Sequence, residues 1–155
     1  MLISDIHITR RHLPHWTARE ATYFVTFRTK NGELTVGEQE IALDHIKQGH
    51  GLYYALIAAI VMPDHAHLLL TPNRQYTLDR VMKGLKGVSA HKINDLRGCG
   101  GSVWQDESYD RIVRNQTELL RFLNYMLLNP VKKNLCDDPW LYPGWYCNLQ
   151  EIPVM

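Results

Sequence analysis

His65-Ala66-His67 is the segment of this chain in which residue type and spacing first point to chemistry. On an extended strand, residues i and i+2 share a face, so the two imidazoles stand side by side and can chelate one divalent metal. Imidazole suits Zn, Mn, Fe, Ni and Cu, and Mg joins when oxygen donors complete the shell. Paired histidines also suit an ordinary polar sheet surface, so the flanking residues must narrow the choice. A His-x-His-x-His nucleotide-transferase triad fails at Leu69. A His-x-His-x-Asp-His binuclear hydrolase pattern fails at Leu69 and Leu70. The second candidate pair is Tyr125 and Asn129, spaced as neighbours on one helical face. An activated tyrosine forms covalent intermediates. Its ordinary pKa of about 10 makes a nearby metal or a polarised phosphate necessary. Asn129 offers a carbonyl oxygen to a metal shell. Read singly, Tyr125 fits a core-edge position equally well, and Asn129 fits a helix C-terminus.

The elements that must position these groups follow from periodicity. Ala21 to Arg28 is β-branched and aromatic and predicts a strand, followed by an Asn31-Gly32 turn. Thr35 and Glu38 form a capping box ahead of a helical pattern that Gly49 and Gly51 stop. Leu52 to Met62 predicts a buried strand, Pro63-Asp64 a turn, and His65 to Thr71 the returning strand of a hairpin. On that strand Leu69 continues the histidines' face, while Ala66, Leu68 and Leu70 take the other. Leu78 to Leu96 is helical, with Gly98, Gly100 and Gly101 marking a flexible connection. Val103-Trp104 and Tyr109 to Arg114 are two short strand candidates. Thr117 to Leu128 is a strong helix, expected to end at Asn129-Pro130 because the residue before proline resists the α region. The tail from Asp137 has no clear period and is expected to lie on the domain surface. Helices mixed with hairpin strands predict an α+β fold, an antiparallel sheet covered by helices, with a ferredoxin-like arrangement the natural form.

Bulk properties bound the function. The chain has 155 residues, of which 45% are apolar. That suits one domain, 1–155, carrying a basic arm over 1–20 and a tail over 137–155. The longest apolar stretch is too short to span a bilayer, which takes roughly 20 residues. The N-terminal residues lack the apolar core and cleavage site of a signal peptide. Three cysteines without a Cys-x-x-Cys pair argue against a disulfide framework or four-cysteine zinc site, and predict a reduced, cytoplasmic protein. Net charge is +1, but residues 74–133 carry a net +5 and the remainder −4. Such asymmetry can present a basic face to a polyanion. No Gly-x-x-x-x-Gly-Lys-[Ser/Thr] phosphate-binding sequence is present.

The stretches Val61-Met-Pro-Asp-His-Ala-His-Leu-Leu-Leu70 and Tyr125-Met-Leu-Leu-Asn-Pro-Val131 resemble the two signatures of the single-tyrosine HUH transposases. The resemblance is greatest to the REP-associated tyrosine transposases, bacterial relatives of insertion-sequence transposases. Three further stretches agree in order: Arg11 to Trp16 with Ala21 to Arg28, then Lys83 to Asn94, then Ser102-Val-Trp-Gln105 with Tyr109 to Arg114. The likeness runs from about Arg10 to Tyr146. It implies the HUH endonuclease fold, Mg²⁺ or Mn²⁺ held by His65 and His67, and Tyr125 attacking a DNA phosphodiester. It places Asn129 where relatives carry a third polar metal ligand. Asp64 departs from the expected Met-Pro-Asn-His form and adds negative charge beside the metal.

The implied activity is metal-dependent nicking and joining of single-stranded or hairpin DNA through a 5′-phosphotyrosine link. Arg11, Lys83, Lys86, Lys92, Arg111, Arg114 and Lys132 are candidates to meet phosphates, and Trp16, Trp104 and Tyr109 to stack on bases. Each of these also fits a plain structural or solvated role. Two other classes stay open: a catalytically silent protein of this fold that grips hairpin DNA or RNA, and an interaction protein whose histidines only decorate the surface. A monomer and a homodimer are both compatible with the resemblance.

Overall fold

A computed structural model describes residues 20–152, so the arm bearing Arg11 and Trp16 lies outside the described residues. The element order is β1 (Thr22–Thr29), α1 (Val36–Gln48), β2 (Tyr54–Val61), β3 (His65–Pro72), α2 (Leu78–Arg97), β4 (Trp104–Val113), α3 (Gln116–Lys132) and β5 (Trp145–Cys147). The strands form one sheet in the order β4-β1-β3-β2-β5, every neighbouring pair antiparallel. The first six elements make a ferredoxin-like βαββαβ unit, as their alternation predicted. The sheet's two faces then receive different layers. Val25 and Phe27 of β1 and Ala66, Leu68 and Leu70 of β3 pack with α1 and α2. Phe24 and Leu69 face α3 and the tail. The strand period of two therefore sends His65 and His67 toward α3.

Local signals set most boundaries. The Thr35 hydroxyl accepts from Glu38 N–H while the Glu38 carboxylate accepts from Thr35 N–H, so the capping box forms as read. Glu38 also takes a two-pronged bond from Arg97, tying the start of α1 to the end of α2. Helix α2 buries Val81, Met82, Leu85, Ser89 and Ile93, one face at helical spacing, and ends on Gly98 at φ 70°.

Three expectations are corrected. The two short strands are one ten-residue edge strand, β4, interrupted only by a register shift opposite Phe27 and Thr29. Its exposure removes the apolar alternation that marks a strand. Helix α3 does not stop at Asn129 but runs through Pro130 to Lys132. Proline lacks one N–H and costs one helical bond, a small loss in a last turn where Pro130 is buried. The tail is not draped on the surface. Its β5 pairs with Ala58–Ile60 of β2, and Tyr142, Trp145 and Ile152 enter the α3-side core. Gly144 permits this: its carbonyl accepts from Val61 N–H at 2.9 Å, so close that a Cβ there would strike the β2 backbone.

Candidate active site

The β2–β3 turn and the cross-strand register assemble the site. His65 lies opposite Arg28 and His67 opposite Thr26 on β1. Thr26 in turn lies opposite Tyr109 on β4. The two imidazoles are 4.8 Å apart, centre to centre, at 72°. Helix α3 comes down over them with Leu119, Leu123 and Met126 against the sheet. It brings Asn129 beneath, 6% exposed, and leaves Tyr125 at the rim, 49% exposed. The Tyr125 ring sits edge-on to His67 at 5.4 Å. The structure thus brings together all four residues singled out for catalysis and metal binding.

Each imidazole is held through Nδ1. His65 Nδ1 is 2.6 Å from Asp64 Oδ1, and His67 Nδ1 is 2.8 Å from Thr26 Oγ1. A carboxylate can only accept here, so the His65 proton resides on Nδ1 and its Nε2 carries the lone pair. That Nε2 is 3.3 Å from the Asn129 carboxamide nitrogen, which donates to it. Nε2 of His67 is buried with no hydrogen-bond partner. Burial, aided by the neighbouring His65 and Arg28, pushes the His67 pKa down to about 3, so the ring is neutral at neutral pH. The hydrogen bond to His65, with the charges of His65 and Arg28, holds the Asp64 carboxyl below its usual range despite burial. Two imidazoles fixed from behind at Nδ1 by a carboxylate and a hydroxyl, with their Nε2 atoms turned to the same site, are oriented as histidine ligands of a divalent ion are. The orphaned Nε2 of His67 is the feature that a protein without a ligand at this place does not need. Among the described residues no group of three or more His, Cys, Asp or Glu could hold a metal. Asn129 is the amide that stands against the pair, at His65 Nε2.

A cleft of about 610 Å³ opens from His67 and Tyr125 toward β4. Its floor is Phe24 and Thr26, and its walls include Arg28, Arg111, Arg121, Tyr109 and Phe122. Sequence reading picked out Arg111 and Tyr109 but missed the rest. It also left the part played by Asp64 undecided. The alternation of Phe24, Thr26 and Arg28 along β1 was a usable signal that they share a face, but only the register shows that this face is His67's.

The other candidates are scattered. Lys132 lies with its ammonium 6.0 Å from the Tyr125 ring centre. Arg114 is clamped to Glu118. Lys83, Lys86 and Lys92 are on α2, across the sheet from the histidines. Lys86 donates to the backbone of Asp106 and Glu107 and to the Ser108 hydroxyl, and Lys92 to Gln48. Trp104 is 4% exposed, packs edge-on to Phe27 and donates to Ser89 Oγ, so it is a core residue and not a stacking surface. No helix among the described residues is long and apolar enough to cross a membrane.

Solved structures resemble the fold of this chain. One solved structure similar to the chain is a REP-associated tyrosine transposase bound to a REP hairpin. It has a TM-score of 0.61 and 20% identity, over 90% of this chain and 82% of that one. Another is a candidate transposase from Deinococcus radiodurans R1, with a TM-score of 0.49 and 22% identity, over 82% of this chain and 98% of that one. No curated protein sequence matches the chain. The profile of the family described as Transposase IS200 like matches residues 43–125, more than half of the chain, from the second half of α1 to Tyr125. The chain belongs to the IS200-like transposase family, and is by that membership a DNA transposase.

Proposed function

We propose that the protein nicks and rejoins single-stranded or hairpin DNA through a covalent link to Tyr125, with Mg²⁺ or Mn²⁺ held by His65, His67 and Asn129. The observation that carries this reading is the buried, unpartnered Nε2 of His67, 4% exposed, beside the lone-pair-bearing Nε2 of His65 and within reach of the Tyr125 ring. A bound divalent ion would supply Lewis-acid polarisation of the scissile phosphate and stabilise charge that develops on its oxygens. Its protein donors would be the two Nε2 atoms and the Asn129 carboxamide oxygen.

The chain's own residues do the rest. Tyr125 is open to solvent, so its phenol loses a proton to water as the oxygen attacks phosphorus. The new bond joins the tyrosine oxygen to the 5′-phosphate. The bond to O3′ breaks, and O3′ takes a proton from solvent to leave as a 3′-hydroxyl. One phosphodiester replaces another, so a 3′-hydroxyl can reverse the step without ATP. Phe24 and the neutral imidazole of His67 flank the Tyr125 ring at 6.3 and 5.4 Å and restrict its swing. Hairpin DNA enters this proposal because the structurally similar REP-associated transposase holds a REP hairpin.

The test is covalent trapping with Mn²⁺ and a pool of labelled hairpin-containing single strands. A denaturation-resistant adduct that disappears in Tyr125→Phe is expected. Hairpin binding without any adduct would reject Tyr125 as nucleophile and leave a binding protein of the same fold.

A further inference from the structure

We infer that the cleft between β4 and α3 is a nucleotide subsite, in which Tyr109 and Phe122 hold one unpaired base beside the reacting phosphate and Arg28, Arg111 and Arg121 take the flanking backbone phosphates. It deepens the proposed function, because it assumes that Tyr125 is the reacting side chain.

Charge carries the first part. Three arginines line this cleft and no acidic side chain does. None of the three makes an ion pair among the described residues, in contrast to Arg74, Arg97 and Arg114, which each have a glutamate. The acids whose fields reach these arginines already have partners: Asp64, near Arg28, bonds His65, and Glu118, near Arg121, is clamped by Arg114. Guanidinium groups gathered without direct ion pairs suit a polyanion whose phosphates can take their free donors.

Aromatic geometry carries the second part. Phe122 stacks on Phe24 at 4.3 Å and 12°, which fixes its plane. Tyr109 lines the same cleft, 60% exposed, on the edge strand β4. Unpaired bases stack on such platforms whatever their sequence. A base paired in a duplex has no free face to offer. The position follows from the register: Tyr109, Thr26 and His67 lie side by side on three adjacent strands, so Tyr109 stands two strand spacings, roughly 10 Å, from His67.

The test avoids cleavage. Fluorescence anisotropy is measured in EDTA with a labelled dT dodecamer and with a dodecamer of tetrahydrofuran abasic units carrying the same phosphates. The wild-type protein should prefer the dT strand by about fivefold or more, the size expected of one stacked base. Tyr109→Ala should bind both probes alike, and Phe122→Leu should fall between. Replacing Arg111 and Arg121 by alanine together should lower the slope of log affinity against log salt by about 1.4, at about 0.7 for each phosphate released from a single strand. Tyr109 is on an exposed edge, so its variant keeps the fold, which a thermal melt verifies. Equal wild-type affinity for both probes, a preference retained by Tyr109→Ala, or an unchanged slope would each overturn the subsite. Tyr125→Phe should keep the base preference. Loss of the preference there would place the base against Tyr125 and reject the Tyr109 assignment, whereas failure of the trapping experiment with the preference intact would reject only the nucleophile.

Discussion

Replacing His67 by leucine should make the metal-free protein no less stable while ending its response to metal. Nε2 of His67 is buried and unpaired, and an unsatisfied buried polar atom costs about 1–3 kcal/mol. The substitution removes that cost. It also removes the 2.8 Å bond between His67 Nδ1 and Thr26 Oγ1, worth about 0.5–1.5 kcal/mol. The net effect lies between about −0.5 and +2.5 kcal/mol, centred near 1 kcal/mol in favour of the variant. The pH dependence sharpens the contrast. The folded pKa of His67 is depressed to about 3 by burial, against about 6.5 when unfolded. The stability that depends on its neutrality is therefore complete above about pH 6.5 and is lost as pH falls toward 3. The loss is about 1.4 kcal/mol per pH unit, because only the unfolded chain takes up the proton in that window. At pH 5 the variant should thus gain about 2 kcal/mol on the wild type beyond any difference at pH 7.5. Metal acts in the opposite sense. Mn²⁺ at a hundred times its dissociation constant stabilises the folded wild type by about 2.7 kcal/mol. In a chain of this length that raises Tm by about 5–10 °C. Thermal melts at pH 7.5 and 5, with EDTA or Mn²⁺, measure all of this. A variant destabilised by more than about 2 kcal/mol in EDTA, or one that retains the Mn²⁺ shift, would refute the view that a stability cost is carried at His67 for metal.

Asp64→Ala should weaken Mn²⁺ binding about 10- to 100-fold, read by titration calorimetry, because His65 then loses the carboxylate that fixes its ring and its proton on Nδ1. Asp64→Asn, which can still accept from Nδ1, should recover most of that loss. Lys86→Met should lower stability by about 1–2 kcal/mol in denaturant titration, because its ammonium ties α2 to the carbonyls of β4. It should leave the salt dependence of DNA binding unchanged, and a reduced slope would return Lys86 to the DNA face.

Short-range chemistry decided what the sequence alone determined. The capping box at Thr35 and Glu38, the turn at Pro63-Asp64 and the alternation through His65, His67 and Leu69 are properties of a few neighbouring residues, and each appears where it was read. So does the ferredoxin-like order of the first six elements, since alternating periods leave few ways to layer helices on a sheet. The pairing of His-x-His with Tyr-x-x-x-Asn was legible as a pattern. Its meeting in space was not, because 58 residues separate His67 from Tyr125 and only the docking of α3 closes that distance. The same reason hid Thr26 behind His67, and Arg28 and Arg121 around the cleft, since cross-strand register is invisible in a linear chain. Lys86 and Trp104 carried a nucleic-acid-like composition, yet packing spends the first on β4 and buries the second. The tail had no period to read because a three-residue strand is shorter than any pattern, and its pairing with β2 is decided entirely by the edge that the rest of the fold leaves open.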